Sequence, residues 1–233
     1  ALTVLTSLAY SVLTARSAPS QKDLGRELGV PTSLPAYRFV YGETRATGSL
    51  VFHEVKGDYL YTCHLLNSRE SKGNFTLYLD EREVVTSGDA YDFSGSGGQA
   101  TEDPLQDHLQ VWFGDGSQTT VPSEILTDIP WSTENTGYLK SSDAGTGMTV
   151  VWLKMKAGKS ATRSERWPSS PPSVVVEGKF SKVFDPTDVT QSFTDKSTWE
   201  YSNDQTLCTL DALTQNPFQP YPINYINLDQ FKD

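Results

Sequence analysis

The sequence predicts a mainly β (α+β) protein, and three observations carry that prediction. Short runs rich in Tyr, Val and Phe recur along most of the chain, several with apolar residues at alternate positions. The 233 residues include 17 Gly and 13 Pro, which punctuate many turns. Tight-turn signals, Lys56-Gly-Asp58 and Asp80-Glu-Arg82, separate neighbouring runs.

The elements follow in order. Leu2, Leu5, Leu8, Ala9, Val12 and Leu13 keep near-helical spacing, which predicts an amphipathic N-terminal helix docked on the body or on a neighbouring subunit. Residues 16–36 carry three prolines and read as a linker, with a helical turn around Lys22–Leu28. Strands are expected at Tyr37–Tyr41, Ser49–Val55, Tyr59–Leu66, Phe75–Leu79 and Glu83–Thr86. Residues 87–107, with Ser94-Gly-Ser96-Gly-Gly98, read as a surface loop. Leu109–Phe113 resumes as a strand, Gly114-Asp-Gly116 turns, and Ser123–Leu126 starts a helix. Met148–Met155 is a strand buried on at least one face. Arg163–Pro172 reads as a polar, proline-locked crossing, followed by strands at Val174–Phe180 and Val183-Phe184. Leu207, Leu210 and Leu213 have helical spacing, with Asn203 as the expected N-cap of a short C-terminal helix. The prolines of Asn216–Pro222 predict an extended tail. The division is therefore an N-terminal helix and linker arm (1–36), a β-rich domain (37–215) and an extended C-terminal tail (216–233).

Composition narrows the function classes. The net charge is −10, from 29 acidic and 19 basic residues, and such a surface repels phosphate backbones. It serves solubility, or a basic docking partner. Cys63 and Cys208 are too few for a disulfide framework, and each sits in an apolar run as a small hydrophobe would. A bridge between them stays open. No run reaches the ~18 apolar residues of a membrane span, and the N-terminus lacks the basic start of a signal peptide.

Candidate chemistry is sparse. His53 and His64 fall on predicted strands that a hairpin would bring together, but neither they nor His108 has a third ligand at metal spacing. Ser94-Gly-Ser96-Gly-Gly98 imitates a nucleophile elbow in composition only. The acidic pairs Asp89/Asp92, Glu102/Asp103 and Glu81/Glu83 have no flanking substrate-stacking aromatics. Asp143–Gly147 lacks calcium-loop spacing. Trp167 and Trp199 are expected to pack in the core or an interface, though if exposed they could stack on sugar rings. Glycines 42, 48 and 178 adjoin predicted strands, where a bulge or close backbone approach uses them. Asp185-Pro186 is a strand stop.

Two distant segments set the functional expectation. The first is Tyr41-Gly42-Glu-Thr-Arg45-Ala-Thr-Gly48 leading into a strand, then Asp58-Tyr-Leu-Tyr61 and Phe75–Asp80. The second runs from Val174–Phe180 through Val183-Phe-Asp185-Pro186 to Trp199-Glu-Tyr-Ser202-Asn203 and Leu207–Leu213, with Trp131…Gly137 and Val150–Lys154 lying between the two. In order and spacing this set resembles the hub domain of phage tail tip attachment proteins (the J-type, host-specificity family) and related baseplate hubs, over about residues 37–213. Thr187 departs from the family's Arg, and Asp204-Gln-Thr206 from its Asn-Pro-Ala. Family members continue beyond this point, so the chain is expected to be a short single-module hub or part of a longer one. The resemblance implies a hub-type β domain that is not an enzyme and takes no cofactor. It implies a structural virion protein, made in the bacterial cytoplasm, that forms a homo-oligomeric ring, a trimer by analogy. That ring would join tail tube or distal-tail proteins to tip or fibre proteins. The residues carrying the likeness are Tyr41, Gly42, Arg45, Gly48, Gly178, Asp185, Pro186, Trp199, Ser202 and Asn203. The alternatives are a carbohydrate-binding β-sandwich of a receptor-binding protein and, with less in the residues to favour it, a cell-wall hydrolase of a tail tip.

Overall fold

Alternating apolar residues cover two kinds of face, and the chain satisfies both with two antiparallel sheets. In a computed structural model, residues 37–130 and 139–231 are described, all within one unit spanning Pro31–Asp233. The expected N-terminal helix and linker (1–36) and the segment 131–138 lie outside the described residues. The first sheet orders β1 (Glu43–Thr47), β10 (Val174–Val183), β4 (Ser71–Leu79) and β5 (Arg82–Val84), with β11 (Glu200–Tyr201) also on β10. The second orders β2 (Ser49–Lys56), β3 (Tyr59–Asn67), β9 (Thr149–Lys156), β8 (Leu109–Gly114), β7 (Gly98–Ala100) and β6 (Thr86–Ser87). The mainly β prediction holds. Three short α-helices join the described strands: α1 (Ser123–Asp128), α2 (Ser160–Arg166) and α3 (Gln205–Thr214).

Both predicted hairpins form. Lys56 pairs with Tyr59 across the first. In the second, Leu79 pairs with Arg82, while Asp80 and Glu81 take positive φ of 47° and 67°. Two successive left-handed residues give a turn whose twist matches the strands, and Asp tolerates that region. The Asp80 carboxylate also accepts from the Ser173 amide at 2.8 Å and the Ser169 hydroxyl at 2.6 Å, tying the turn to the crossing before β10.

Strand β9 separates the two cores, because alternate side chains face opposite ways. Val151, Leu153 and Met155 join Val111 and Phe113 against Leu77, Val176 and Phe180 of the first sheet. Val150 and Trp152 face the other way, with Trp112 and Tyr61, against Val121, Ile125 and Ile129 around α1. The strand expected to bury at least one face thus buries both. Each fully buried aliphatic side chain contributes roughly 2 kcal/mol, so β9 is the main apolar anchor.

Lys154 occupies the α1 side of β9 and is only 8% exposed. Its ammonium meets Glu124 Oε1 at 2.6 Å and Asp128 Oδ2 at 2.7 Å, and Tyr61 Oη donates to the same Asp128 oxygen at 3.0 Å. Burial alone lowers the Lys154 pKa, but the hydrogen bonds it donates to Asp128 and Glu124, with their charges, outweigh it and raise it. This cluster places a six-residue helix, too short to hold itself, on the sheet.

Several boundaries differ from expectation. Tyr37–Tyr41 is not a ladder strand: its amides go to side chains, Arg38 to Ser68 Oγ at 3.0 Å and Val40 to Asn67 Oδ1 at 3.1 Å. The loop 87–107 contains β7, paired with β8 at Gly98↔Val111. The polar crossing begins as α2, held by Arg166, whose guanidinium donates to the carbonyls of Pro104 at 2.8 Å and Ala157 at 3.3 Å. The two strands around Ser181 are one, β10. Asn203 does not cap α3; Asp204 does, accepting from the Thr206 and Leu207 amides at 2.6 and 3.2 Å. The tail is not extended throughout: Tyr221 N–H donates to Leu213 O at 2.9 Å, and single 3₁₀ turns form at Ile223–Tyr225 and Leu228–Phe231.

Removing both anions from around Lys154 strands its charge. The double variant Glu124→Gln, Asp128→Asn is expected to lose about 3 kcal/mol, whereas Lys154→Met stays within about 1 kcal/mol of wild type. Urea unfolding of the two checks this; equal losses would show that packing alone seats α1.

Candidate functional site

The family-like residues are widely separated in sequence, and two of them, Tyr41 and Trp199, meet at one corner of the first sheet. The corner is built where β3 hands over to β4. Asn67, fully buried, accepts from the Val40 amide and donates through Nδ2 to Ser181 Oγ at 2.9 Å and Ser71 Oγ at 3.2 Å. Ser71 and Thr149 hydroxyls lie 2.6 Å apart, and Thr149 Oγ1 donates to Arg69 O at 2.7 Å. Each polar group finds a partner, as burial requires.

Two residues further on, the Arg69 guanidinium pairs with the Asp211 carboxylate of α3, with side chains 11% and 1% exposed. Tyr41 Oη donates to the same carboxylate at 2.7 Å. Burial raises the Tyr41 pKa, so the phenol stays a donor. The guanidinium carbon sits 5.6 Å from the ring centroids of both Phe39 and Trp199, a cation–π arrangement on two sides. Trp199 is 2% exposed; its Nε1 donates to Ser192 O at 2.8 Å, and its ring packs on Phe184 and Phe193.

The remaining residues of the set border this corner or extend along β10. Gly42, at φ 72°, brings its Cα close to Asn203, and its carbonyl accepts from Phe180 at 3.0 Å. Asn203 itself is exposed. Ser202 Oγ accepts from the Asp204 amide at 3.1 Å, just ahead of α3. Asp185 Oδ1 accepts from Thr187 N and Oγ1, both at 2.7 Å, folding Pro186 into a turn that ends β10. Thr187, where the family has Arg, is used in that turn.

Gly178 is not at the corner: it lies at the bulge of β10 against β4, where a Cβ would stand 2.3 Å from the Phe75 ring. Arg45, opposite Glu177 in the β1–β10 ladder, pairs with it at 2.7 Å over the Tyr78 ring, with side chains 60% and 41% exposed. Hydrogen bonding to Arg45 holds the Glu177 carboxyl below its usual range. Gly48 marks the passage from one sheet to the other, and a Cβ there would stand 2.7 Å from that of His64.

The sequence-level chemistry does not converge. His53 lies opposite Thr62, not His64, and His108 is spent on Gln106 O at 2.6 Å. Ser94 Oγ donates to Asp92 Oδ1 at 2.6 Å in a local turn, and Asp89 likewise accepts from the Tyr91 amide. Cys63 and Cys208 are both free thiols. Trp167 and Trp199 are 7% and 2% exposed, so neither presents the open ring face the sugar-stacking reading needs. Among the described residues no three His, Cys, Asp or Glu side chains gather as a metal site.

Arg69, Asp211 and Asn67 escape sequence reasoning. Arg69 and Asp211 are 142 residues apart, and a charge in a turn or on a helix normally faces water. The signal that could be read is Tyr41 and Trp199 standing in the same motif set. Fold and corner together define a two-sheet antiparallel β protein in which a buried ion pair joins the β3–β4 turn to α3. The sequence matches no family model and no curated protein.

Asp211→Ala leaves the Arg69 charge buried and is expected to cost about 3 kcal/mol in urea unfolding. Glu177→Gln, in an exposed pair, should leave the curve unchanged. The reverse ranking would remove the corner from its role. His64, 4% exposed, has its pKa lowered by burial to about 4, with the Gly48 backbone opposing. Below its ordinary 6.5 the unfolded chain therefore takes up this proton first, and stability falls from pH 6.5 towards 4. The loss should be about 2 kcal/mol by about pH 5. Midpoints in urea across this window check it; His64→Gln should flatten the slope, and an unchanged slope would count against it.

Proposed function

We propose that this chain is an assembly module of a phage tail hub or tail tip, working as a structural virion protein. The observation that carries the reading is that Tyr41 and Trp199, from the two ends of the family-like set, meet at Arg69 and Asp211, while Gly42 lies beside Asn203. Motif pieces that were matched only by order and spacing fold as parts of one unit. On this reading Tyr41 and Trp199 hold the termini of the module to its sheets, so that neighbours dock on a rigid body.

Available edges favour assembly. Strand β2 ends the six-stranded sheet and runs eight residues, with Val51 and Val55 37% and 63% exposed. Such an edge takes another strand. The module would form a homo-oligomeric ring, a trimer by family analogy, between tube or distal-tail proteins and tip or fibre proteins, without a cofactor.

Cryo-EM of intact tails, with mass spectrometry of the purified particles, tests this. The expected outcome is the chain at the distal end of the tail in a fixed copy number. A monomer absent from particles sinks the proposal.

A further inference from the structure

Beside the buried ion pair lies a cleft of about 290 Å³, walled by Phe39, Arg69, Lys182, Lys196 and the edge of Trp199, with Tyr37 at its mouth. Three cations and one carboxylate, Glu70, share one small space in a chain whose net charge is −10. Their own counter-charges are uneven. Arg69 is matched by Asp211, and Lys182 lies 3.5 Å from Glu70 with both side chains partly exposed. The Lys196 ammonium sits 5.5 Å from the Trp199 ring centroid and meets no carboxylate within ion-pair distance among the described residues. Partial burial and the nearby Arg69 charge lower the Lys196 pKa, the Glu70 charge opposes them, and a further anion would act in the same sense as Glu70.

The cleft opens onto apolar surface. Tyr37, 58% exposed, packs edge-on against Phe218, 86% exposed, at 6.4 Å between ring centroids. A free inorganic ion would use the lysines and none of this platform. Trp199 has no open face for a sugar, since Arg69 and Lys196 lie over it. A polypeptide that combines carboxylates with apolar side chains uses every part.

We propose that this cleft docks an acidic, partly apolar segment of a partner polypeptide, one carboxylate entering between Lys182 and Lys196 while a neighbouring apolar side chain covers Tyr37 and Phe218. The inference does not depend on the hub reading, because binding is measured on the isolated chain.

Calorimetric titration with a short peptide alternating glutamate and leucine is the test, with inorganic phosphate in a parallel arm. Saturable binding is expected, weakened about tenfold between about 20 mM and about 200 mM salt. The rim variant Lys182→Ala, Lys196→Ala should weaken it about tenfold as well. Lys159→Ala, outside the cleft, should leave it unchanged, with circular dichroism confirming that each variant is folded. No peptide binding, binding indifferent to the lysine pair, or phosphate binding as tightly as the peptide would each overturn the proposal.

Discussion

The ion pair between Arg69 and Asp211 is the constraint on which the arrangement of the described chain depends. A buried guanidinium and a buried carboxylate each carry a large desolvation cost, and that cost is offset only when they meet with good geometry. Their meeting seats α3 against the turn between β3 and β4. Tyr41 adds a third group, and so fixes the segment leading into β1. The Asn67 network beneath it aligns the same segment with β10 through Ser181. One corner thereby sets where the chain enters the sheets and where it leaves them.

The sheets themselves rest on ordinary apolar burial, and β9 is central because both of its faces are covered. The first sheet covers one face, and α1 with its flanking residues covers the other. Lys154 is the exception within this strand, and its two carboxylate partners define where the helix sits. Two buried ionic clusters, at different edges of the body, thus position the two best-packed helices. Neither is a strong source of net stability, since charge burial nearly cancels the attraction; what each supplies is a single allowed placement.

These features describe a rigid scaffold with specialised surfaces. Several acidic side chains are taken up in turns and caps: Asp92 and Asp185 close turns, and Asp204 caps α3. The scaffold presents an edge strand at β2 and a cation-rich, aromatic-rimmed cleft beside Arg69. Both are suited to holding polypeptide partners, and the family resemblance supplies the setting in which such partners would be found.

By itself the sequence determined the mainly β class, most strand positions and both hairpins, because alternation and turn residues act over a few neighbouring positions. It also singled out Tyr41, Gly42 and Trp199. It did not reveal α2, whose residues are almost all polar and whose anchor, Arg166, binds carbonyls supplied by other segments. It placed the cap of α3 on Asn203 instead of Asp204, because local pattern does not separate adjacent capping residues. It read Trp167 and Trp199 as core or interface residues by default, with sugar stacking as the alternative, and both are buried. Above all, only the tertiary structure paired Arg69 with Asp211. Local propensity reads neighbours in sequence, whereas a buried charge is decided by which distant partner shares its low-dielectric site.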